Sequence, residues 1–134
     1  LEKLFLYWYH ATGNAPYDSG KAILRKDFKV AQLYLTQALE YYTALIFILN
    51  RSFVPYRKWR LREMNRLKYK PTGYTQILHK ILTTTKWTKQ EFEAKQEIVY
   101  NLVSELKKKL LDSGVAMEKL ENPWRFKVNS APRI

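Results

Sequence analysis

The chain has 134 residues, no cysteine, 46% hydrophobic and 15% aromatic content, and a formal charge of +12. That is enough chain for one domain with a single core, and it is too apolar and too aromatic for a disordered segment. The lack of cysteine excludes a disulfide scaffold and any thiolate metal site, and fits a cytoplasmic protein.

The charge is local. Residues 51–70 carry eight cations against Glu63 alone, net +7, whereas residues 1–50 sum to +1 and residues 71–134 to +4. A field concentrated in this way favours phosphate, nucleic acid or another acidic partner; the alternative is a solvated basic helix. The opening run LEKLFLYWY has no basic leader and no small-residue cleavage site, so no signal peptide is expected. The chain then reads as a soluble protein, either a subunit or a piece of a longer one. The longest apolar stretch, YYTALIFIL at residues 41–49, falls far short of the roughly 20 residues that span a bilayer, so no membrane partner is expected.

In chain order, residues 2–11 predict a short apolar helix, ended by Gly13, Asn14, Pro16 and Gly20, with Asp18 or Ser19 capping the next helix. That long helix is expected from Lys21 to Asn50. Its core stripe is Leu24, Phe28, Ala31, Leu35, Leu39, Tyr42, Ile46 and Leu49, and its last third is apolar all round and therefore central. Pro55 suits the first turn of a new helix running to Leu67. Pro71 and Gly73 punctuate, and residues 74–84 predict another helix. Thr88-Lys89-Gln90-Glu91 fits a capping box, with Thr88 accepting from the Glu91 N–H while Glu91 reaches back. The helix it opens has the stripe Phe92, Val99, Val103, Leu106 and Leu110. Glu91–Lys95 and Glu105–Lys109 are favourable four-residue pairs. Lys107, Lys108 and Lys109 oppose the negative end of the dipole, and Gly114 is a natural stop. Trp124 and Phe126 are expected to tie the tail to the bundle. With no sustained strand alternation, the fold class is all-α: a single domain over 1–134, a bundle of about five helices with one long central helix. The best-formed helices are expected over 24–49 and 90–111, with Phe28, Leu39, Ile46, Leu106 and Leu110 buried.

There is no glycine-rich phosphate loop, no HExxH and no nucleophile elbow. His10 and His79 lack a carboxylate or second histidine at ligand spacing, and neither has the preceding arginine that a helical ribonuclease of the HEPN type requires. No close carboxylate pair stands out for metal chemistry. The sequence therefore carries no self-sufficient catalytic set and no metal site. The positive signal is the helix from Pro55. Lys58, Arg62 and Arg66 fall at four-residue steps on one face, with Arg57 and Arg60 flanking them. Tyr56 and Trp59 share a turn with this row. Guanidinium groups bind phosphate bidentately and rings offer a base a stacking surface; the competing reading makes the two rings core anchors.

Arg25-Lys26-Asp27-Phe28 opening the long helix, Leu49-Asn50-Arg51 closing it, and then Pro55-Tyr56-Arg57-Lys58-Trp59 with Arg60 and Arg62 form a more specific combination. It resembles the helical domain that follows the catalytic domain in a family of bacterial and archaeal nucleotidyltransferases, where a helix ending Leu-Asn precedes a Pro-Tyr-x-Lys-Trp turn. It is similar, more loosely, to the helical C-terminal domains of aminoglycoside nucleotidyltransferases and of minimal nucleotidyltransferase systems. The likeness covers mainly residues 21–67. It implies a catalytic α/β palm domain as partner, carrying a Gly-Ser motif and the aspartates that hold Mg²⁺, with a nucleoside triphosphate as substrate. The helical domain would close the cleft, with Asn50, Tyr56, Lys58 and Trp59 facing it and Arg25 and Asp27 nearby. The palm motifs are absent from this sequence. Two other classes stay open: a basic helical nucleic-acid-binding module, and a structural domain whose basic face docks an acidic protein.

Overall fold

A computed structural model describes residues 2–121, and these form a helical bundle with no strand among them. The elements are α1 (Glu2–Thr12), a kinked turn (Gly13–Asp18), α2 (Ser19–Leu24), α3 (Phe28–Leu49), α4 (Arg57–Glu63), a 3₁₀ turn (Met64–Arg66), α5 (Tyr74–Leu82), α6 (Lys89–Asp112) and α7 (Met117–Glu121). The all-α class and the long central helix expected from the sequence are both present. Trp124 and Phe126 lie outside the described residues.

α3 is the axis of the bundle. Every residue from Tyr41 to Phe47 is buried, which requires neighbours on all sides of the helix; α1, α2, α5 and α6 supply them. α1 buries Leu4 to Trp8 without interruption, so it too is apolar rather than amphipathic over these turns. Long-range hydrogen bonds fix the layers. Trp8 Nε1 donates to the Leu120 carbonyl at 2.9 Å, tying α1 to α7. The Tyr42 hydroxyl donates to the Ala15 carbonyl at 2.7 Å. Ala15 is free to receive it because Pro16 forces the residue before it into extended backbone (φ −148°, ψ 119°) and so breaks the helix there.

The helix expected over Lys21–Asn50 is two helices. α2 stops at Leu24, and Lys26 takes a left-handed conformation (φ 59°). The Lys26 N–H then bonds the Ile23 carbonyl at 2.9 Å and the Asp27 N–H bonds the Ala22 carbonyl at 2.8 Å. This is a Schellman stop built on lysine instead of glycine. The phase of the stripe is lost across it, so Leu24, placed in the core by its spacing, is 78% exposed. The same stop ends α3: Arg51 is left-handed (φ 55°), and Ser52 N–H reaches the Phe47 carbonyl at 3.0 Å. A third ends α6, and there the left-handed residue is Gly114 (φ 93°), the stop that was expected.

The stripe of α6 is largely as expected, with Phe92, Val99, Leu106 and Leu110 buried and Val103 half-buried. Leu39 and Ile46 are buried too, whereas Phe28 is only half-buried and stacks on Phe92 with ring centroids 5.3 Å apart. The cap of α6 forms, with Thr88 Oγ1 accepting from the Glu91 N–H at 3.3 Å. Glu91 reaches further back than expected, to the backbone N–H groups of Thr85 and Lys86 at 2.9 and 3.0 Å. Glu105 is taken up by Thr72, through its N–H and hydroxyl, both at 3.0 Å. Lys109 lies over the Tyr69 ring.

Candidate functional site

The left-handed stop at Arg51 ends α3, residues 52–56 follow without regular secondary structure, and Tyr56 (φ −54°, ψ 147°) leads into α4. α4 is seven residues long. The inward positions of α4 and the following turn are Arg60 and Met64, four residues apart on one face. Lys58, Trp59, Leu61 and Arg62 lie off that face and are exposed. Trp59 is 43% exposed and Tyr56 85% exposed, so neither ring is a core anchor, and the sequence reading of them as anchors is corrected. The Lys58 ammonium lies 5.1 Å and the Arg62 guanidinium 5.6 Å from the Trp59 ring centroid. Two exposed cations thus flank one exposed indole, held there by cation–π attraction. Phe53, 95% exposed, extends the aromatic surface.

The remaining predicted residues fall in different settings. Arg66 sits on the 3₁₀ turn, where its Nη1 is 3.2 Å from Glu63 Oε2, so the expected four-residue row is continuous only from Lys58 to Arg62. Arg57 pairs with Glu40 of α3 at 2.9 Å. Arg60 lies inside: its Nε and Nη2 both donate to the Pro55 carbonyl, at 3.1 and 2.9 Å, and its Nη1 is buried with no partner. Burial lowers its pKa, while the Tyr7 phenol and Glu40 act the other way; a guanidinium keeps its proton regardless. Arg25 and Asp27 are exposed at the stop between α2 and α3. The 22 residues of α3 separate them from Asn50 and α4, about 33 Å at the rise of an α-helix. The structure therefore does not bring that pair to the basic face.

Asn50 is a bracket. Its Nδ2 donates to the Ile46 and Tyr69 carbonyls at 2.7 and 2.9 Å, and its Oδ1 accepts from the Tyr69 N–H at 2.8 Å. It clamps the segment before α5 to the end of α3. Asn50→Ala is expected to cost about 1–3 kcal/mol in urea unfolding, because half-buried backbone groups lose their partners. A cost under about 0.5 kcal/mol would mean that water replaces the bracket.

Sequence reasoning missed Lys95. Expected as a surface partner of Glu91, it is 2% exposed. Its ammonium donates to Gln32 Oε1 at 2.7 Å, Thr84 Oγ1 at 2.7 Å and the Ile81 carbonyl at 2.9 Å. Burial lowers its pKa and Glu91 opposes that. Three acceptors exhaust its donors, so its work is to join α3, α5 and α6. The signal was present: Phe92, Lys95, Val99, Leu102 and Leu106 step by three and four, which sets Lys95 on the buried stripe.

The acids beside α4, Glu40 and Glu63, are each paired with an arginine. Among the described residues, no three acids or histidines come together as a metal site requires. His10 stacks on Tyr41 with centroids 5.3 Å apart, and His79 is exposed on α5. Among the described residues no helix is long and apolar enough to cross a membrane.

Residues 1–60 match a family described as a domain of unknown function, DUF4037. The matched stretch takes in α1 to α3, the 52–56 segment and the first turn of α4. No curated protein and no solved structure matches the chain.

Proposed function

We propose that this chain is the helical, nucleotide-binding half of a nucleotidyltransferase, a lid that works with a catalytic domain supplying the palm motifs and the Mg²⁺. The observation that carries this reading is the exposed Trp59 indole with Lys58 and Arg62 stationed beside it on α4. Stacking on an indole accepts any base, and cations within reach of the ring meet the phosphates attached to it. Nucleotidyl transfer builds negative charge that metal and cations must neutralise. A lid contributes the cations and leaves the metal to its partner. A protein using nucleoside triphosphates in this way belongs in the cytoplasm.

The test is calorimetric titration with MgATP at low salt. The double variant Lys58→Gln/Arg62→Gln is expected to weaken binding about tenfold or more, with its melting temperature nearly unchanged, since exposed cations contribute little to stability. Trp59→Ala is expected to weaken binding as well, again with a small change in melting. Unchanged affinity in both variants would reduce α4 to a solvated face. Tighter binding of mixed-sequence oligonucleotides than of MgATP, with a steep salt dependence, would instead favour a nucleic-acid-binding module.

A further inference from the structure

Arg60 lines two hollows. The smaller, beside Glu40 and Leu78, is about 150 Å³. The larger, about 530 Å³, lies between the start of α1 and the 52–56 segment. That volume is within the range of small-ligand sites, about 300–1,000 Å³. We propose that the larger hollow is a phosphate-binding site for a nucleotide, with Arg60 Nη1 as its inner donor, Lys3 at its mouth and the Tyr56 and Phe53 rings as its walls. The proposal rests on the lid reading for the class of ligand, and it locates the phosphate on a surface that the α4 row does not form.

Three observations converge. First, Arg60 is 4% exposed and its guanidinium is locked by two hydrogen bonds to one carbonyl, which leaves Nη1 buried without an acceptor. A buried charged group with an idle donor is costly, and an anionic oxygen is the partner that suits it. Second, no carboxylate of the described residues supplies that oxygen. The nearby acid, Glu40, is engaged by Arg57 at 2.9 Å. Third, the hollow has what else a nucleotide needs. Lys3 is exposed on its rim, and Tyr7 lies within electrostatic reach of Arg60. Tyr7 lines the hollow too, and its phenol, neutral at neutral pH, is a further donor. Phe53 and Tyr56 are the two most exposed rings among the large hydrophobic residues described, and both line the same hollow. Rings on a phosphate site give a base somewhere to stack.

The experiment is calorimetric titration of the full chain with sodium pyrophosphate and, separately, with MgATP. The unmodified chain is expected to bind both. Lys3→Gln, an exposed change that leaves the fold alone, is expected to weaken pyrophosphate about fivefold at low salt. Arg60→Lys is expected to weaken it more than about tenfold, because a point charge cannot hold the Pro55 carbonyl and a phosphate oxygen as a guanidinium fork does. If Arg60→Lys melts early, Lys3→Gln and Tyr7→Phe carry the test. No detectable pyrophosphate binding, or the same affinity in Lys3→Gln and Tyr7→Phe, overturns the proposal. The two readings fail separately. Loss of MgATP binding in Lys58→Gln/Arg62→Gln, with pyrophosphate indifferent to Lys3, sinks the hollow and spares the lid. Pyrophosphate dependent on Lys3, with MgATP indifferent to Lys58 and Arg62, does the reverse.

Discussion

Ile46→Ala is expected to lower the free energy of unfolding by about 2–5 kcal/mol. Ile46 is fully buried within the Tyr41–Phe47 run, where α3 has packed neighbours on every side. The cost of such a truncation depends on how far the walls can collapse into the space left. Here they are held. Tyr42 is pinned to Ala15 at 2.7 Å, Thr43 bonds the Tyr74 hydroxyl at 2.9 Å, and Asn50 bonds the Ile46 carbonyl itself at 2.7 Å. Domains of this size are stable by about 5–15 kcal/mol, so the loss takes a large share. Urea unfolding followed by circular dichroism measures it. Leu24→Ala is the control: by its spacing it belongs to the same stripe, but at 78% exposure it is expected to change stability by less than about 0.5 kcal/mol. Comparable losses at the two positions would mean that the helix is continuous through Lys26. A loss at Ile46 below about 1 kcal/mol would mean that the run is not the core.

That contrast shows what the residues disclose and what they hide. A helix is written in the period of its apolar residues, and the stripes of α3 and α6 were legible for that reason. A stop is written in glycine or proline only when the chain uses one. Gly114 announced the end of α6. Lys26 did not announce the end of α2, because a single lysine in the left-handed region looks like any other helical lysine in sequence. The basic face was legible as charge and as four-residue spacing, but its inward side was not. A seven-residue helix has too few turns for its phase to be read, and the position it buries is a cation, Arg60. That inversion pushed Trp59 outward, although an indole would ordinarily be read as the anchor. Asn50 was marked out as a residue of the cleft, whereas its polar atoms are taken up by Ile46 and Tyr69, and no local pattern encodes a bond across nineteen residues.

Raising the pH through about 10 is expected to unfold the protein cooperatively, because three tyrosines cannot ionise where they are. Tyr42 and Tyr74 are buried, and burial raises both phenols, Tyr42 well above the ordinary value. Tyr69, whose hydroxyl is buried with no partner, is pushed up to about 12, again chiefly by burial. In the unfolded chain a phenol titrates near 10. Between that value and the raised ones, the unfolded state has lost protons that the folded state still holds. Stability is therefore whole below about pH 10 and falls as pH rises above it, by about 1.4 kcal/mol for each tenfold difference in proton affinity. Lys95 acts in the opposite sense. Its pKa is lowered, so the unfolded state binds the extra proton just below the ordinary lysine value, and stability gains slightly as pH climbs to about 10.5. That single gain ends where the tyrosine losses begin to accumulate. The measurement is phenolate absorbance and helical circular dichroism recorded together up the alkaline range. The absorbance of these three phenols is expected to appear only as helicity disappears. Tyr74→Phe, which removes one ionising group and leaves Thr43 bonded to the Leu39 carbonyl at 2.7 Å, is expected to move the step to higher pH. Ionisation of all ten tyrosines with the helices intact would show that these rings are reached by water in the folded protein.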